Sequence, residues 1–350
     1  MRVGITGYKG FIGSFFKNYL EHFTHHTPVI KEPLDNFSDV SVVVHFAEKN
    51  RGNEGEVYNS NRKSCKNLIE SMGQKNIRLI YASSIHQNDN TLYGLYRREN
   101  ITDFKRNIKD VNVVQIPNVF GPFCKPNYNS FIATFCDKII KEEDINIGES
   151  SVNLIYVEEV CKRISSILKE SSDDIVLPCV TKTVKTIYDK LMYFKSMYID
   201  KNTIPKIENE FELDLFNTFR SYIPNEKRLF KVKKFIDERG RLSELLKSKI
   251  QGQMFFSTTK PDFVRGRHFH RKRIERFCIL EGQALIKMRR VGTGDIIEYK
   301  VDGEDYVVFD TPIFYTHSLE NIGDSDLIAV FWMNDILDEN EIDDTKFLSV

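Results

Sequence analysis

The chain has 350 residues, 41% of them hydrophobic and 12% aromatic, which is typical of a folded globular protein and argues against disorder. Its 50 lysine and arginine residues are balanced by 50 aspartate and glutamate residues, so no overall field would draw it to nucleic acid or to anionic lipid. We therefore expect a protein that recognises a small ligand locally.

The N-terminus, MRVGITGYKGFIG, passes from a short apolar run directly into glycines and lacks the long apolar segment and cleavage site of a signal peptide. No run of about 18 apolar residues follows, which argues against a membrane span. The cysteines form no C-x-x-C pair and are typical of reduced thiols in a cytoplasmic protein: Cys65, Cys124, Cys136, Cys161, Cys179 and Cys278.

The first predicted elements are a strand, a glycine loop and a helix. The β-branched run RVGIT predicts the strand, and GYKGFIG leads into an amphipathic helix. Gly7 permits a tight turn, Gly10 lets the backbone approach a pyrophosphate, and Gly13 lets the helix pack closely on the sheet. The free N–H groups of the first helical turn, at Phe11 and Ile12, would face the anion. This loop predicts a dinucleotide site.

Further strands and helices alternate along the first half of the chain. The runs VSVVVHFA (40–47), RLIYASS (78–84) and VNVVQIP (111–117) are nearly continuous apolar strands, and 59–72 is helical in pattern. This alternation predicts a buried parallel sheet of the Rossmann type. Lys31, near the expected end of the second strand, is predicted to contact the cofactor, but it lies beside Glu32, so the charges there do not choose between NADPH and NADH.

Four features in this order resemble the extended short-chain dehydrogenase/reductase family: the G-x-x-G-x-x-G loop, YASS, a tyrosine with a base four residues later, and PNVFGP (117–122). The resemblance implies that Ser84, or alternatively Ser83, and Tyr93 bind a substrate carbonyl, while Tyr93 transfers the proton. The family has lysine where this chain has Arg97, which keeps the charge but is longer and planar. The residues therefore leave three possibilities open for the reductase, namely that it is active, slowed or inactive.

The composition changes near residues 225–230, where strand-like segments replace the alternation. We predict two domains, an α/β domain at 1–227 and an all-β domain at 228–350. His268 and His270 are two apart and would face the same way on a strand. Together with Glu275 and His317 they form a donor set suited to a divalent metal such as Zn²⁺.

The patterns H-x-H-x4-E-x6-G and P-x4-H-x3-N resemble the two signature motifs of the cupin family, which implies a jelly-roll barrel. They occupy His268, His270, Glu275, Gly282, Pro312, His317 and Asn321. DERGRLSE (237–244) resembles the entry strand of cupin-type nucleotide-sugar epimerases, which implies that Arg239 and Glu244 bind the nucleotide diphosphate. An exposed ion pair is the alternative for these two residues.

A reductase fused to an epimerase-like cupin resembles the bifunctional enzymes of capsular polysaccharide biosynthesis, and CKPNYNSFIATFC (124–136) resembles them most specifically. The resemblance implies a homodimer that binds a UDP-sugar. It also implies C3 epimerisation of a UDP-4-keto-6-deoxy-N-acetylhexosamine, then NADPH-dependent C4 reduction to UDP-2-acetamido-2,6-dideoxy-β-L-talose for capsule or O-antigen. Four residues would lie in a loop over the sugar nucleotide: Lys125, Asn127, Tyr128 and Asn129.

Two questions stay open at this stage. The sequence does not identify the cupin base; Tyr315 and a metal-bound water are candidates, since histidines that hold a metal are poor bases. The alternatives to the full enzyme are a cupin epimerase with a weakened reductase domain and a non-enzymatic sensor of dinucleotide and sugar nucleotide. The first alternative predicts C3 proton exchange without NADPH consumption, and the second predicts binding without turnover.

Overall fold

The computed structural model describes residues 1–73, 76–169, 173–335, 345–347 and 350. The chain forms two compact units, one comprising Met1–Phe135 and Asn146–Ile187 and the other Cys136–Ile145 and Tyr188–Val350. Residues 188–227 thus belong to the second unit, and the domain boundary after residue 227 stays a prediction. Among the described residues, no helix is both long enough and apolar enough to cross a membrane.

Strands and helices alternate along the first unit, as predicted. The strands are β1 (Arg2–Thr6), β2 (Thr27–Ile30), β3 (Val42–His45), β4 (Arg78–Ser84), β5 (Val111–Ile116), β6 (Asn118–Phe120), β7 (Ser151–Tyr156), β8 (Ile175–Val176) and β9 (Val180–Thr183). The helices of the chain are α1 (Phe11–Phe23), α2 (Glu54–Met72), α3 (Leu92–Asn107), α4 (Phe131–Lys141), α5 (Val157–Ser166), α6 (Val184–Phe194) and α7 (Glu210–Ser221).

Six of these strands form one parallel sheet in the order β2-β1-β3-β4-β5-β8, which confirms the predicted parallel α/β arrangement. All seven residues of β4 are buried, as expected for a strand covered on both faces. One face packs through Val3, Ile80 and Phe16 of α1, and the other through Leu79 and Phe104 of α3. β6, β7 and β9 form a smaller sheet.

The start of α3 is fixed by Thr91, whose hydroxyl accepts a hydrogen bond from the Gly94 N–H at 3.1 Å. A threonine in this position satisfies one of the helix's unpaired donors and so defines where the helix begins. The cap places Tyr93 in the first turn of α3 and Arg97 one turn later. Both residues therefore lie in the N-terminal half of α3, the helix that follows β4.

The second unit is rich in strands, as predicted for the C-terminal half. They are β10 (Thr203–Ile204), β11 (Leu229–Lys231), β12 (Lys234–Asp237), β13 (Gly240–Ser243), β14 (Lys247–Ser248), β15 (Gln253–Thr259), β16 (Val264–His270), β17 (Glu275–Glu281), β18 (Gln283–Arg290), β19 (Ile296–Asp302), β20 (Val307–Thr311), β21 (Tyr315–Asn321), β22 (Leu327–Met333) and β23 (Thr345–Phe347).

Two five-stranded antiparallel sheets dominate this unit, in the orders β11-β20-β17-β22-β15 and β19-β18-β21-β16-β23. Their apolar side chains share one core, which includes Phe277 and Phe309 from the first sheet and Ile286 and Leu319 from the second. The alternation of buried and partly buried residues along β18 reflects the two faces of such a strand.

Buried charges hold α7 against the first of these sheets. The Arg220 guanidinium donates to Asp310 at 3.1 Å, and Tyr198 donates its hydroxyl proton to the same carboxylate. The Arg276 Nε lies 3.7 Å from Asp310, and Arg228 is buried nearby. Burial alone would raise the pKa of Asp310, but the charges of Arg220, Arg276 and Arg228 outweigh it and lower the pKa. Asp310 is thus the charge partner of several buried arginines.

Candidate functional site

The loop between β1 and α1 has the close packing that its glycines predict. Gly7 has φ +72°, and a Cβ atom on it would lie 2.5 Å from the Ala47 backbone nitrogen. A Cβ on Gly13 would lie 2.3 Å from the Gly7 carbonyl oxygen. Gly10 caps α1 without a side-chain hydrogen bond, and the first turn, with Phe11 and Ile12, has no acidic residue. This surface fits the pyrophosphate of a dinucleotide.

Lys31, the residue predicted to contact the cofactor, follows β2 directly. Its ammonium lies 2.7 Å from an Asp39 carboxylate oxygen and donates to the Asn36 carbonyl, also at 2.7 Å. Hydrogen bonds from Lys31 and Arg2 lower the pKa of Asp39 to about 2. The charge of Lys31 is therefore balanced within the protein, and its contact with NADPH stays a prediction.

The two serines at the end of β4 have different hydrogen bonds. The Ser83 hydroxyl donates to the Gln87 side-chain oxygen at 2.7 Å, whereas the Ser84 oxygen only accepts, from the His86 N–H at 3.2 Å. Within the described part of the chain, the Ser84 hydroxyl proton has no acceptor, so it is available to a ligand. This difference favours Ser84 over Ser83 as the donor to a substrate carbonyl.

Arg97 lies against Tyr93, as their spacing predicts. The guanidinium carbon is 4.5 Å from the centroid of the Tyr93 ring and 5.5 Å from that of Tyr96. The Arg97 side chain is buried and forms a short ion pair with Glu48. The second oxygen of Glu48 accepts from the Tyr81 hydroxyl at 2.5 Å.

Glu48 is a site residue that our sequence analysis missed. It follows the apolar run of β3 at the carboxyl edge of the parallel sheet, where ligands bind in folds of this kind. A carboxylate at this edge was the only available signal. Its partner Arg97 is 49 residues away in the chain, so no local pattern links them.

The charges of this cluster stabilise one another. Burial by itself lowers the pKa of Arg97, but the charge of Glu48 and of the surrounding tyrosines outweighs it, so this pKa lies above its ordinary value. Burial, reinforced by the charge of Glu48, raises the pKa of Tyr81 far above its ordinary value. Burial also lowers the pKa of His45 to about 3, with a smaller effect from Arg97. Arg97 is therefore a permanent cation, and Tyr81 a permanent hydrogen-bond donor.

The predicted substrate loop brings cations to an exposed aromatic ring. Lys125 Nζ and the Arg51 guanidinium carbon each lie 5.7 Å from the centroid of the Tyr128 ring. Arg51 also donates to the Asn129 side-chain oxygen at 3.0 Å, and the Asn127 N–H donates to Thr134 at 2.9 Å. Arg51 is a second residue that our sequence analysis missed. The two cations would suit a diphosphate.

Arg239 and Glu244 lie on the β12–β13 hairpin and just beyond it. Arg239 forms an ion pair with Asp237 at 2.6 Å, and Glu244 forms one with Lys247 at 2.9 Å. All four side chains are exposed, which is the arrangement of ordinary surface ion pairs. Binding of a nucleotide diphosphate by Arg239 and Glu244 stays a prediction.

The four predicted metal ligands converge in the second unit. The candidate ligand atoms of His268, His270, Glu275 and His317 all lie within 4.8 Å of one another. A Glu275 oxygen is 3.1 Å from His317 Nε2 and 3.7 Å from His270 Nε2. His268 faces His317 across β16 and β21, directly after a register shift at Gly266. Three imidazoles and one carboxylate at these distances fit a divalent ion of the Zn²⁺ type.

The pKa shifts of His268 and Glu275 also suit metal binding. Burial, with the neighbouring His317 and His270, lowers the pKa of His268 to about 3. Burial alone would raise the pKa of Glu275, but His317 and His270 outweigh it, so the carboxylate is ionised. A neutral imidazole and an ionised carboxylate are the forms in which these side chains bind metals.

Comparisons with known proteins place this geometry in a family. Residues 235–345, which include the four converging ligands, match the model of the polysaccharide biosynthesis C-terminal domain. The chain is 29% identical over 366 aligned positions to UDP-2-acetamido-2,6-beta-L-arabino-hexul-4-ose reductase of Pseudomonas aeruginosa, covering 98% of this chain and 97% of that protein. The crystal structure of the capsular polysaccharide assembling protein CapF of Staphylococcus aureus is 31% identical, with all of both chains covered and a TM-score of 0.61.

The chain belongs to the CapF family. Because the likeness to CapF extends over both chains completely, it includes the glycine loop as well as the histidine cluster. A UDP-glucose 4-epimerase of Thermotoga maritima is 15% identical, with a TM-score of 0.53 over 63% of this chain and 98% of its own. That likeness shows a shared fold and nothing about chemistry. Together, these findings connect a CapF-family chain with two chemically distinct clusters, one in each unit.

Proposed function

We propose that this protein is a two-step nucleotide-sugar enzyme. The second unit would invert C3 of a UDP-4-keto-6-deoxy-N-acetylhexosamine, and the first would reduce the C4 ketone with NADPH. The product would be UDP-2-acetamido-2,6-dideoxy-β-L-talose, for capsule or O-antigen. The main support is that a chain of the CapF family carries both a dinucleotide loop beside Tyr93 and a buried histidine–glutamate cluster. The name of the Pseudomonas aeruginosa relative, a UDP-sugar reductase, supports the substrate class.

In the reduction, Tyr93 would give its hydroxyl proton to the ketone oxygen, and Ser84 would donate a hydrogen bond to the same oxygen. A reduced nicotinamide bound at the glycine loop would supply the hydride. A tyrosine with an ordinary pKa of about 10 is a poor proton donor or acceptor at neutral pH unless a cation stabilises its phenolate. Arg97, with its guanidinium carbon 4.5 Å from the Tyr93 ring centroid, would provide that cation.

In the epimerisation, a base would remove the C3 proton, which is acidic because the neighbouring C4 carbon carries a ketone. Return of a proton to the opposite face then inverts the centre. A divalent cation held by His268, His270, Glu275 and His317 would supply positive charge that favours the developing oxyanion. Tyr315, two residues before His317 on β21, is a candidate for the base, and a bound cation would supply a water as the alternative.

The architecture belongs to the same proposal. We assign the first unit to the extended short-chain dehydrogenase/reductase type and the antiparallel sheets of the second to a cupin. Zn²⁺ is the metal whose ligand preferences fit the cluster best. A homodimer is the expected oligomer, since two-fold pairs are the commonest assemblies of soluble proteins.

Two readouts on one sample test this proposal. Incubation with the UDP-4-keto sugar in D₂O, followed by NMR, reports exchange at C3, and NADPH absorbance reports reduction. Wild type should show both. Tyr93→Phe should slow reduction by about 100-fold or more while C3 exchange continues. Glu275→Gln should abolish C3 exchange. Exchange without NADPH consumption in wild type would instead indicate an epimerase whose reductase domain has lapsed.

A further inference from the structure

A buried carboxylate, Glu48, binds the guanidinium that lies over the Tyr93 ring. The Glu48 side chain is 6% exposed and the Arg97 side chain 5%, so their ion pair is largely shielded from water. Glu48 also accepts from the Tyr81 hydroxyl at 2.5 Å, and the Tyr96 hydroxyl lies 3.4 Å from its other oxygen. Three donors from β4 and α3 therefore converge on one carboxylate that follows β3.

The contacts of Arg97 determine how its guanidinium is held. One terminal nitrogen binds Glu48, and the other donates weakly to the Ala82 carbonyl at 3.5 Å. Its Nε is buried and has no hydrogen-bond partner among the residues that the structure describes. Glu48 and the Ala82 carbonyl thus hold the two terminal nitrogens of the guanidinium.

The position of Glu48 connects this cluster to the dinucleotide loop. The backbone of Phe46 and Ala47 lies so close to Gly7 that a Cβ there would be 2.5 Å from the Ala47 nitrogen. Glu48 is the next residue along the chain. The segment 46–48 therefore contacts the cofactor loop through its backbone and the Tyr93–Arg97 pair through its last side chain.

Removing Glu48 would leave a buried, permanent cation without its counter-ion. Such a charge is strongly destabilised in a protein interior, so the guanidinium would move toward water and away from Tyr93. A lysine at position 97 would not reproduce the present contacts, because an ammonium has neither the planar face nor the spread of donors of a guanidinium. Arg97 and Glu48 therefore depend on each other as one ion pair.

We propose that Glu48 is a positioning residue for the reduction step, which holds the Arg97 guanidinium against the Tyr93 ring. This inference rests on the proposed function and adds to it a residue that acts only through Arg97. It predicts that arginine in place of lysine leaves the reductase active in this chain, because Glu48 accompanies it. It also predicts that Arg97→Lys lowers the rate of reduction.

The test compares Glu48→Gln, Glu48→Asp and Glu99→Gln in the full chain. Glu99 is the matched control, because this half-exposed carboxylate on α3 also accepts from a tyrosine, Tyr58 at 2.6 Å, and pairs with an arginine, Arg62 at 3.1 Å. Glu48→Gln should lower kcat for NADPH oxidation by about 100-fold, as a misplaced catalytic group does. The KM for the sugar and the Kd for NADPH should change by less than about threefold. Glu48→Asp should recover part of the rate, and Glu99→Gln should match wild type.

A double-variant cycle separates positioning from general support of the fold. In an Arg97→Met background, Glu48→Gln should cause no further loss of kcat, because the group through which it acts is gone. This double variant also removes both buried charges together, so it keeps the test valid if Glu48→Gln alone fails to fold. Circular dichroism and the melting temperature of each variant establish that it is folded.

Each outcome decides a separate point. If wild type oxidises NADPH and folded Glu48→Gln retains kcat within about twofold, the inference is overturned and the proposed function stands. Losses that multiply in the double variant would also overturn it, since Glu48 would then act independently of Arg97. If wild type itself oxidises no NADPH with the UDP-4-keto sugar, the proposed function fails and this inference fails with it.

Discussion

Replacing Asp310 by asparagine tests whether charge holds the buried arginine cluster of the second unit together. Asp310 accepts from Arg220 at 3.1 Å and from Tyr198, and Arg276 lies 3.7 Å away. Arg220, Arg228 and Arg276 are all buried. Asparagine has nearly the same shape but removes the negative charge and turns one acceptor into a donor. The substitution therefore isolates electrostatics from packing.

The expected loss follows from how deeply the charges are buried. Breaking a buried ion pair by removing one partner costs about 3–5 kcal/mol, because the remaining charge stays out of water. For a unit of this size, each kcal/mol lowers the melting temperature by about 2–4 °C, so Asp310→Asn should lower the transition of the second unit by roughly 6–20 °C. Replacing Arg276 by methionine in the same chain should recover part of this loss, since it removes one unpaired cation.

Urea unfolding and differential scanning calorimetry measure both quantities. Asp305→Asn is the matched control, because Asp305 is half exposed and pairs with Lys231 at 2.8 Å. A surface pair of this kind contributes about 0–1 kcal/mol. Equal small losses in Asp310→Asn and Asp305→Asn would refute the argument, since they would show that the buried arginines do not depend on this carboxylate.

Three further predictions concern the glycine loop, His45 and the metal ligands. Gly13→Ala would place a Cβ 2.3 Å from the Gly7 carbonyl oxygen, so it should destabilise the first unit by about 1–3 kcal/mol and weaken NADPH binding in a fluorescence titration. Gly148→Ala, where the nearest neighbouring atom is 4.0 Å away, should have neither effect. Burial lowers the pKa of His45 to about 3, so between about pH 6.5 and pH 3 the unfolded state binds an extra proton at this residue, and stability should fall as the pH falls, by up to about 1.4 kcal/mol per pH unit. His45→Gln should reduce the slope of stability against pH in urea titrations by this amount, while His268, whose pKa is lowered similarly, keeps its own contribution; exposed His86→Gln should leave the slope unchanged. The four convergent ligands predict one divalent ion per chain by elemental analysis, which should be lost in His268→Gln and kept in His86→Gln. A chelator should lower the melting temperature of the second unit of wild type. An unchanged metal content in His268→Gln would contradict the assigned ligand set.

Local sequence patterns predicted the parts of the fold that depend on neighbouring residues. The run RVGIT and the three glycines predicted β1, the loop and the start of α1, because strand, turn and helix preferences act within a few residues. The H-x-H pattern with Glu275 and His317 predicted a convergent cluster, since alternate residues of a strand share a face. The parallel direction of the strands in the first sheet followed from the alternation of strands and helices.

Long-range charge pairing could not be predicted in this way. Glu48 and Arg97 are 49 residues apart, and Arg220 and Asp310 are 90 apart. Nothing in the local sequence distinguishes a buried ion pair from two exposed charges, and charged side chains are exposed in most proteins. The sequence alone therefore left open how Arg97 in place of lysine affects the reductase, whereas in the structure Arg97 is paired with Glu48. Arg51, which contacts the loop at Tyr128 and Asn129, was missed for the same reason.

The most direct measurement of the central claim follows NADPH absorbance after the UDP-4-keto-6-deoxy-L-arabino sugar is added to purified wild type and to Arg97→Lys. We expect rapid oxidation by wild type and slower oxidation by Arg97→Lys, because Arg97 is held against Tyr93 by Glu48. No oxidation by wild type, with recovery in Arg97→Lys, would contradict it and would leave C3 epimerisation as the activity of the chain.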